Sequence, residues 1–155
     1  MKVAVGSDFS AVELKDKVKE YLSGRGYEIV DLGNDRVQEI YPEIAAKVAR
    51  AVQEGMAQKG ILFCGTGGGV SIVANKFKGV YCVASESIFT SYKMRQLNDA
   101  NVMAMGKNVV GEMNAFEMAE TFLKTDFCQD YGEERRNFVS GLKERMLEIE
   151  RENMK

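Results

Sequence analysis

The feature that most constrains the fold is a regular alternation of short apolar runs with segments of helical length. Strands are predicted at 3–5, 27–32, 60–64, 80–84 and 102–105, and helices at 10–23, 42–54, 70–76, 87–96, 112–124 and 133–152. Connections of this kind join parallel strands by right-handed crossovers and cover both faces of the sheet. We therefore predict an α/β fold, a Rossmann-like three-layer α/β/α sandwich with a five-stranded parallel sheet.

The chain length and two of the helices lead to further predictions about the number of domains and the packing of the helices. A length of 155 residues fits one domain over 1–155. Ser10 and Glu13 have the spacing of a capping box, which predicts that the first helix begins there. The last helix, at about 133–152, combines many charges with an apolar stripe, so it is expected to pack on its own domain or to contact a partner subunit. Residues 33–40 are predicted to form a polar loop.

The composition narrows the class of partner. Lysine and arginine number 21 against 23 acidic residues, so no basic surplus favours nucleic acid or an anionic membrane, and a small-molecule partner is expected. No stretch reaches the roughly 18 apolar residues of a membrane span, and the first apolar run is too short for a signal peptide. These observations predict a cytoplasmic protein.

Cysteine and histidine usage bounds the chemistry. Cys64, Cys82 and Cys128 are odd in number and widely spaced, which argues against a disulfide framework. The chain contains no histidine, so a zinc site is not expected and acid–base chemistry must use other groups. We predict neither a metal nor a cofactor.

The segment 64–71, Cys-Gly-Thr-Gly-Gly-Gly-Val-Ser, is the candidate for chemistry. It places Cys64 at a strand end, before glycines whose N–H groups can approach a ligand and before the start of a helix. The positive helix end favours thiolate over thiol and makes Cys64 a candidate base or nucleophile, although a small buried hydrophobic residue fits the position equally well. The glycine spacing differs from the dinucleotide fingerprint, which disfavours such a site.

Several polar residues follow predicted strands. Ligands of parallel α/β sheets bind beyond the carboxyl ends of the strands, so Asp8, the 64–69 loop and Ser85-Glu86 are expected to converge on one edge. Asp8 is a candidate for function there, and the alternative is that it caps the turn that follows.

Several stretches together resemble a known family. They are Gly6-Ser7-Asp8, Tyr41-Pro42, Cys64-Gly-Thr-Gly with Ser71-Ile-Val-Ala-Asn-Lys76, Asn98-Asp-Ala-Asn-Val102 and Val109-Val-Gly111. In order and spacing, over the whole chain, they are similar to the ribose-5-phosphate isomerase B and galactose-6-phosphate isomerase family. The resemblance implies an aldose–ketose isomerase that acts on a sugar phosphate through an enediolate. It also implies a homodimer or homotetramer with sites between subunits.

The resemblance implies a role for each matching residue. Cys64 is the expected base that moves a proton between C1 and C2 of the open-chain sugar, and Thr66 is the second catalytic candidate. The amides of the 65–69 loop are expected to stabilise the enediolate, and Asn98 is expected to come from the neighbouring subunit. The expected substrate-binding residues are Asp8, Phe9, Ser10, Tyr41, Gly65, Gly67, Gly68, Gly69, Asn98, Arg135 and Arg136.

The chain also departs from the family pattern. Phe9 stands where the family usually has a histidine after the aspartate, and Leu97 stands where the ribose-5-phosphate members carry the histidine that opens the sugar ring. Asn108 replaces an arginine that helps to hold phosphate, and Val139 replaces the second of two arginines one helical turn apart. Ring opening by this route is therefore not expected, and the phosphate site must differ from that of the family.

Three functions remain open from the sequence. The favoured one is an isomerase for an open-chain substrate such as a tetrose or pentose phosphate, because such a substrate makes the missing histidines unnecessary. The second is one subunit of a heteromeric galactose-6-phosphate-type isomerase, with the missing groups supplied by another chain. The third is a non-catalytic relative that binds sugar phosphates, which the intact Cys64 loop argues against.

Overall fold

The structure, a computed structural model, describes residues 1–33 and 39–154. The strands in this part of the chain are β1 (Lys2–Ser7), β2 (Glu28–Asp31), β3 (Lys59–Cys64), β4 (Cys82–Ala84) and β5 (Val102–Gly106). They form one sheet in the order β2-β1-β3-β5-β4, and every neighbouring pair is parallel. The prediction of an α/β fold with a five-stranded parallel sheet is confirmed. Of the predicted 33–40 loop, residues 34–38 lie outside the described residues.

The helices alternate with the strands as predicted. They are α1 (Val12–Ser23), α2 (Tyr41–Gln53), α3 (Gly68–Ala74), α4 (Ile88–Gln96), α5 (Glu112–Lys124) and α6 (Glu133–Asn153). In the described ranges, no helix combines the length and the apolar character that crossing a membrane requires.

The sheet buries apolar side chains on both faces, as a parallel sheet between two helical layers must. Val3 and Phe63 belong to the core under α1 and α5, whereas Ala4 and Leu62 belong to the core under α2 and α3. Because β1 and β3 are neighbours in the sheet, the segments that follow them leave the same edge side by side. We call this edge the carboxyl edge.

Helix α2 begins at the carboxyl edge because its apolar face packs closely on β1. Ile44 and Val48 lie one turn apart and are fully buried. A Cβ atom at Gly6 would lie only 2.7 Å from Cγ1 of Ile44, so β1 needs glycine at this position for the helix to approach. Pro42 occupies the first turn of α2, where its missing N–H group has no cost. This packing brings Tyr41, the first residue of α2, next to the loop that follows β3.

The predicted capping box at Ser10 is wrong. Helix α1 begins at Val12 with Ala11 as its N-cap, and no side chain caps it. Ser10 instead donates a hydrogen bond from its hydroxyl to Oδ1 of Asp8, at 2.6 Å, and a second from its backbone N–H at 2.9 Å. Asp8 competes successfully for Ser10 because an aspartate accepts readily from the residue two positions later.

Candidate active site

Cys64 is the last residue of β3 and lies at the carboxyl edge, where it is 5% exposed. Its Sγ atom accepts a hydrogen bond from the backbone N–H of Gly67 at 3.0 Å. The bond fixes the orientation of the sulfur and directs a backbone dipole at any negative charge that develops on it. The predicted position of the thiol, at a strand end and beneath a glycine loop, is therefore the one observed.

The loop after Cys64 takes a course that only glycine allows at two positions. Gly67, the N-cap of α3, has a φ of 84°, in the left-handed region that other residues rarely adopt. Gly106 ends β5 opposite Cys64, and a Cβ atom there would lie 2.4 Å from the carbonyl carbon of Thr66. The Cys64 loop therefore packs directly on the end of β5.

Two backbone hydrogen bonds join the Cys64 loop to the segment after β5. Lys107 N–H donates to the carbonyl of Cys64 at 2.9 Å, and Asn108 N–H donates to the carbonyl of Gly65 at 3.0 Å. Sequence reasoning treated Asn108 only as a lost arginine and did not identify Gly106 at all. Their role depends on the pairing of Cys64 with Gly106, which becomes visible only when the register of β3 and β5 is known.

Asp8 reaches the same edge from β1. Its backbone N–H donates to the carbonyl of Phe63, the residue before Cys64, at 3.1 Å. One carboxylate oxygen of Asp8 accepts both hydrogen bonds from Ser10, which orients the side chain. Phe9 is held through its backbone N–H by the carbonyl of Glu39 at 3.0 Å, while its side chain is 60% exposed. The turn thus presents a carboxylate and an aromatic ring beside the Cys64 loop.

Tyr41 and Thr66 complete the group at this edge. A Cβ atom at Gly69 would lie 2.9 Å from two carbons of the Tyr41 ring, so the ring lies directly on the loop. Thr66 is exposed, and its hydroxyl oxygen accepts a hydrogen bond from Gly68 N–H at 3.3 Å. Asp8, Tyr41, Thr66 and the loop around Cys64 are therefore neighbours.

Asn98, Arg135 and Arg136 lie at the other edge of the sheet in the same chain. Asn98 is in the turn between α4 and the amino end of β5, whereas Cys64 pairs with Gly106 at the carboxyl end of that strand. Arg135 and Arg136 lie in the first turn of α6 and are exposed. The start of α6 lies near the end of α4, because Cys128, which contacts the Arg136 carbonyl, donates its N–H to the carbonyl of Gln96. The guanidinium of Arg135 lies 5.6 Å and 5.5 Å from two aromatic ring centres. A single chain does not bring these three residues to Cys64.

Ser85 lies at the carboxyl edge, as expected, but two strands away from Cys64. It follows β4, the outermost strand, which β5 separates from β3. Its side chain is buried, and its hydroxyl lies 2.9 Å from the hydroxyl of Ser91 and donates to the carbonyl of Ser87 at 3.1 Å. These contacts stabilise the start of α4.

The two lysines beside the site, Lys17 and Lys107, differ in their ion pairs. A surface depression next to Ser10 is lined by Lys17 and Lys107. Lys17 forms ion pairs with Glu13 and Glu112, which raise its pKa above the ordinary value. Lys107 forms no ion pair with any described residue. The hydrogen bond and charge of Lys17 and, less strongly, the charge of Lys107 lower the pKa of Glu13, so the Lys107 ammonium interacts with a carboxylate that lines the same depression.

The other cysteines differ from Cys64. Cys82 is buried in β4, and burial raises the pKa of its thiol to about 12, which keeps it protonated. Cys128 is also buried and lies in the segment before α6. Among residues 1–33 and 39–154, no group of three or more cysteine, aspartate or glutamate side chains is arranged to hold a metal ion.

A family model described as Ribose/Galactose Isomerase matches residues 3–139, which include Asp8, Tyr41 and the whole Cys64 loop. The chain belongs to the ribose/galactose isomerase family. It is therefore an intramolecular oxidoreductase of the aldose–ketose isomerase class, and the predicted family is confirmed.

Named relatives of this isomerase cover nearly its full length. It is 44% identical over 152 residues to the 4-deoxy-4-sulfo-D-erythrose isomerase of Clostridium sp. (strain MSTE9). The matched region covers 97% of this chain and 96% of that protein. It is 36% identical over 129 residues to the D-erythrulose-4-phosphate isomerase of Pectobacterium atrosepticum. That match covers 82% of this chain and 85% of the relative. The solved structure of Clostridium thermocellum ribose-5-phosphate isomerase B superimposes with a TM-score of 0.88 at 35% identity, covering 98% and 99%.

The positions at which the isomerase departs from the expected family pattern have different surroundings. Phe9 is exposed beside Asp8, and Leu97 ends α4 at the other edge of the sheet. Val139 is fully buried, so the helix position one turn after Arg135 faces the protein interior. An arginine at that position would need a different packing of α6.

Proposed function

We propose that this isomerase interconverts the aldose and ketose forms of a four-carbon sugar that carries an anionic group on C4 and stays open-chain. The observation that carries the proposal is the complete absence of histidine from the chain. Opening a sugar ring needs one proton removed from the anomeric hydroxyl and one delivered to the ring oxygen, near neutral pH. With Phe9 and Leu97 in the expected histidine positions, no group of suitable pKa is present there for this step.

The chemistry of four-carbon sugars makes ring opening unnecessary. A five-membered sugar ring closes through the oxygen on C4. In a tetrose 4-phosphate that oxygen is esterified, and in a 4-deoxy-4-sulfo tetrose it is absent, so neither compound can close the ring. The relatives in Clostridium and Pectobacterium are named for substrates of these two kinds, which supports a four-carbon substrate with a terminal sulfonate or phosphate.

Cys64 is the proposed base for the proton transfer. As thiolate it removes a proton from the carbon next to the carbonyl, which leaves an enediolate over C1 and C2, and the thiol then returns the proton to the other carbon. The proton on oxygen moves between O1 and O2, so aldose and ketose differ by no net atom or electron. Thr66 and Asp8 are proposed to contact the sugar oxygens, and the loop amides to stabilise the enediolate charge.

The proposed site needs a second chain. Strands rise about 3.3 Å per residue, so the four residue steps from Val102 to Gly106 separate Asn98 from Cys64 by at least about 13 Å in one chain. A four-carbon substrate is too short to contact both residues across that distance. We propose that Asn98 and the arginines of α6 approach Cys64 of a neighbouring copy in a homodimer or homotetramer.

A comparison of substrates tests the proposal. Purified protein is assayed for aldose–ketose exchange with erythrulose 4-phosphate, 4-deoxy-4-sulfo-erythrose and ribose 5-phosphate. At least one four-carbon compound should have a kcat/KM about tenfold or more above that of ribose 5-phosphate, a difference of about 1.4 kcal/mol in activation free energy. Ribose 5-phosphate as the better substrate contradicts the proposal. Activity that requires a second related chain favours the heteromeric alternative, and binding without turnover favours the non-catalytic one.

Mixed subunits test the shared site. Cys64→Ser and Asn98→Ala chains should each be nearly inactive alone. When the two are co-expressed, randomly assembled dimers should recover about one quarter of the wild-type activity, because half of them are mixed and each mixed dimer has one intact site. No recovery, with both variants folded and oligomeric, contradicts a site between chains.

A further inference from the structure

Helix α6 contributes little to the apolar core for its length. Of its 21 residues, all of which the structure describes, Val139 alone is buried. Phe138, Leu142 and Ile149 are each about half exposed. Because apolar packing does little to fix the position of α6 on the domain, its polar contacts decide how it sits against its neighbours. Two of these contacts lead to the turns that precede β4 and β5.

The first contact joins α6 to Asp99, the residue after Asn98. Asp99 has a φ of 51°, a left-handed conformation that is unusual for a residue other than glycine. Its carboxylate accepts a hydrogen bond from Arg95 Nη1 at 2.7 Å and another from the ammonium of Lys143 in α6. Burial alone would raise the pKa of Asp99, but the two hydrogen bonds and the positive charges of Lys143 and Arg95 together hold it below its usual value. The carboxylate therefore stays charged.

Arg95 fixes the inner side of the same turn. It is 5% exposed, and its Nη1 also donates to the carbonyl of Ala100 at 2.6 Å, while Nε donates to the carbonyl of Thr125 at 3.2 Å. The Asp99 carboxylate thus lies between a guanidinium anchored in the domain and an ammonium carried by α6. A turn with a left-handed residue keeps its shape when such contacts over-determine it.

The second contact joins α6 to the turn before β4. Glu150 accepts a hydrogen bond from Gly79 N–H at 2.7 Å and another from the hydroxyl of Tyr81 at 3.1 Å. The side chain of Asn101 links that turn to the 98–101 turn, because it accepts from Tyr81 N–H and donates to the Gly79 carbonyl, each at 2.8 Å. Lys143 and Glu150 are two helical turns apart on one face of α6.

We infer that α6 holds the 98–101 turn in the conformation that presents Asn98, and that Lys143 and Asp99 act as positioning residues for it. The inference rests on the proposed function, in which Asn98 acts beside Cys64 of the neighbouring chain. Misplacement of a substrate contact by about 1 Å can cost about a hundredfold in rate. Loss of the Lys143 contact therefore reduces turnover far more than it reduces stability.

Kinetic measurements on Lys143→Met and Lys143→Arg in the full-length oligomer test this inference. Lys143→Met should lower kcat about tenfold or more, with a melting temperature within about 3 °C of wild type, because a partly exposed ion pair contributes little stability. Lys143→Arg keeps the charge and should retain most of kcat. Lys124→Met is the matched control, since Lys124 also pairs with a carboxylate on a helix surface but lies in α5, and it should leave kcat unchanged.

A double-mutant cycle separates positioning of Asn98 from general damage. In an Asn98→Ala background, Lys143→Met should change kcat by less than about twofold, because the group it positions is gone. Asp99→Asn tolerates the left-handed conformation without the charge and should behave like Lys143→Met. Unchanged kcat in Lys143→Met, or a full additional loss in the Asn98→Ala background, overturns the inference and leaves the proposed function intact. Full activity of Asn98→Ala alone overturns the proposed role of Asn98, and the inference with it.

Discussion

Replacement of Gly106 by alanine is the most direct test of how the fold positions Cys64. A Cβ atom at Gly106 would lie 2.4 Å from the carbonyl carbon of Thr66, 2.5 Å from its Cα and 2.6 Å from its carbonyl oxygen. All three are backbone atoms, so no side-chain rotation relieves the contact. The loop that carries the Gly67 N–H donor to Cys64 must therefore move away from β5.

The size of that movement sets the expected effects. Ordinary contacts of a Cβ atom begin near 3.4 Å, so the loop must shift by about 1 Å. A shift of about 1 Å in a catalytic group costs about a hundredfold in rate. Overpacking of this kind costs about 1–3 kcal/mol in the free energy of unfolding. For a chain of this length, that corresponds to a fall in melting temperature of about 2–4 °C per kcal/mol.

Initial rates of aldose–ketose exchange with the proposed four-carbon substrate, followed by proton NMR, measure the first effect, and thermal unfolding measures the second. Gly111→Ala is the control, because Gly111 has an ordinary φ of −71° and a Cβ atom there would contact nothing within 4 Å. It should retain wild-type activity and lose at most about 1 kcal/mol of stability, because alanine is a poorer N-cap for α5 than Gly111. A Gly106→Ala protein with more than about half of wild-type kcat/KM would refute the view that β5 positions the Cys64 loop for activity.

Three further predictions follow from the same structure. Cys64→Ser should lose nearly all isomerase activity while it still folds, since an alcohol is too weak an acid to serve as the base near neutral pH; more than about a tenth of the activity would remove Cys64 from the mechanism. Lys15→Met should destabilise the protein by about 3 kcal/mol in urea unfolding, because it leaves the Asp31 carboxylate, which lies 3.0 Å from the fully buried ammonium, with weaker compensation; an unchanged midpoint contradicts this. Burial, and to a smaller extent the nearby Arg95, lower the pKa of Lys59 to about 8. Between pH 8 and 10.5 the unfolded state therefore binds more protons than the folded state, so stability rises with pH over that interval. Lys59→Met should therefore be more stable than wild type by about 1–2 kcal/mol below pH 8, after allowance for the partial exposure of the ammonium, and this advantage should disappear by pH 10.5.

Local patterns in the sequence determined much of the architecture. The alternation of apolar runs and amphipathic segments is a property of neighbouring residues, and it predicted α5 at 112–124 with the bounds that the structure has. Cys64 followed by glycines predicted a thiol beneath a loop of backbone donors, and the structure has the Gly67 N–H donor at that sulfur. The absence of histidine is visible in composition alone, and the proposal of an open-chain substrate rests on it.

Other features depended on contacts between distant parts of the chain, which only the tertiary structure decided. Asp8 lies beside the Cys64 loop because β1 pairs with β3 as well as with β2, and β3 is far from β1 along the chain. The need for glycine at position 106 arises from the register of β3 and β5, which the local sequence does not encode. Ser10 matched a capping box, in which its hydroxyl would accept a hydrogen bond from a helix N–H, yet that hydroxyl donates to Asp8 instead. Asn98 lies at the opposite end of the sheet from Cys64. It precedes a strand, whereas Cys64 ends one, and parallel strands all begin at one end of the sheet and finish at the other.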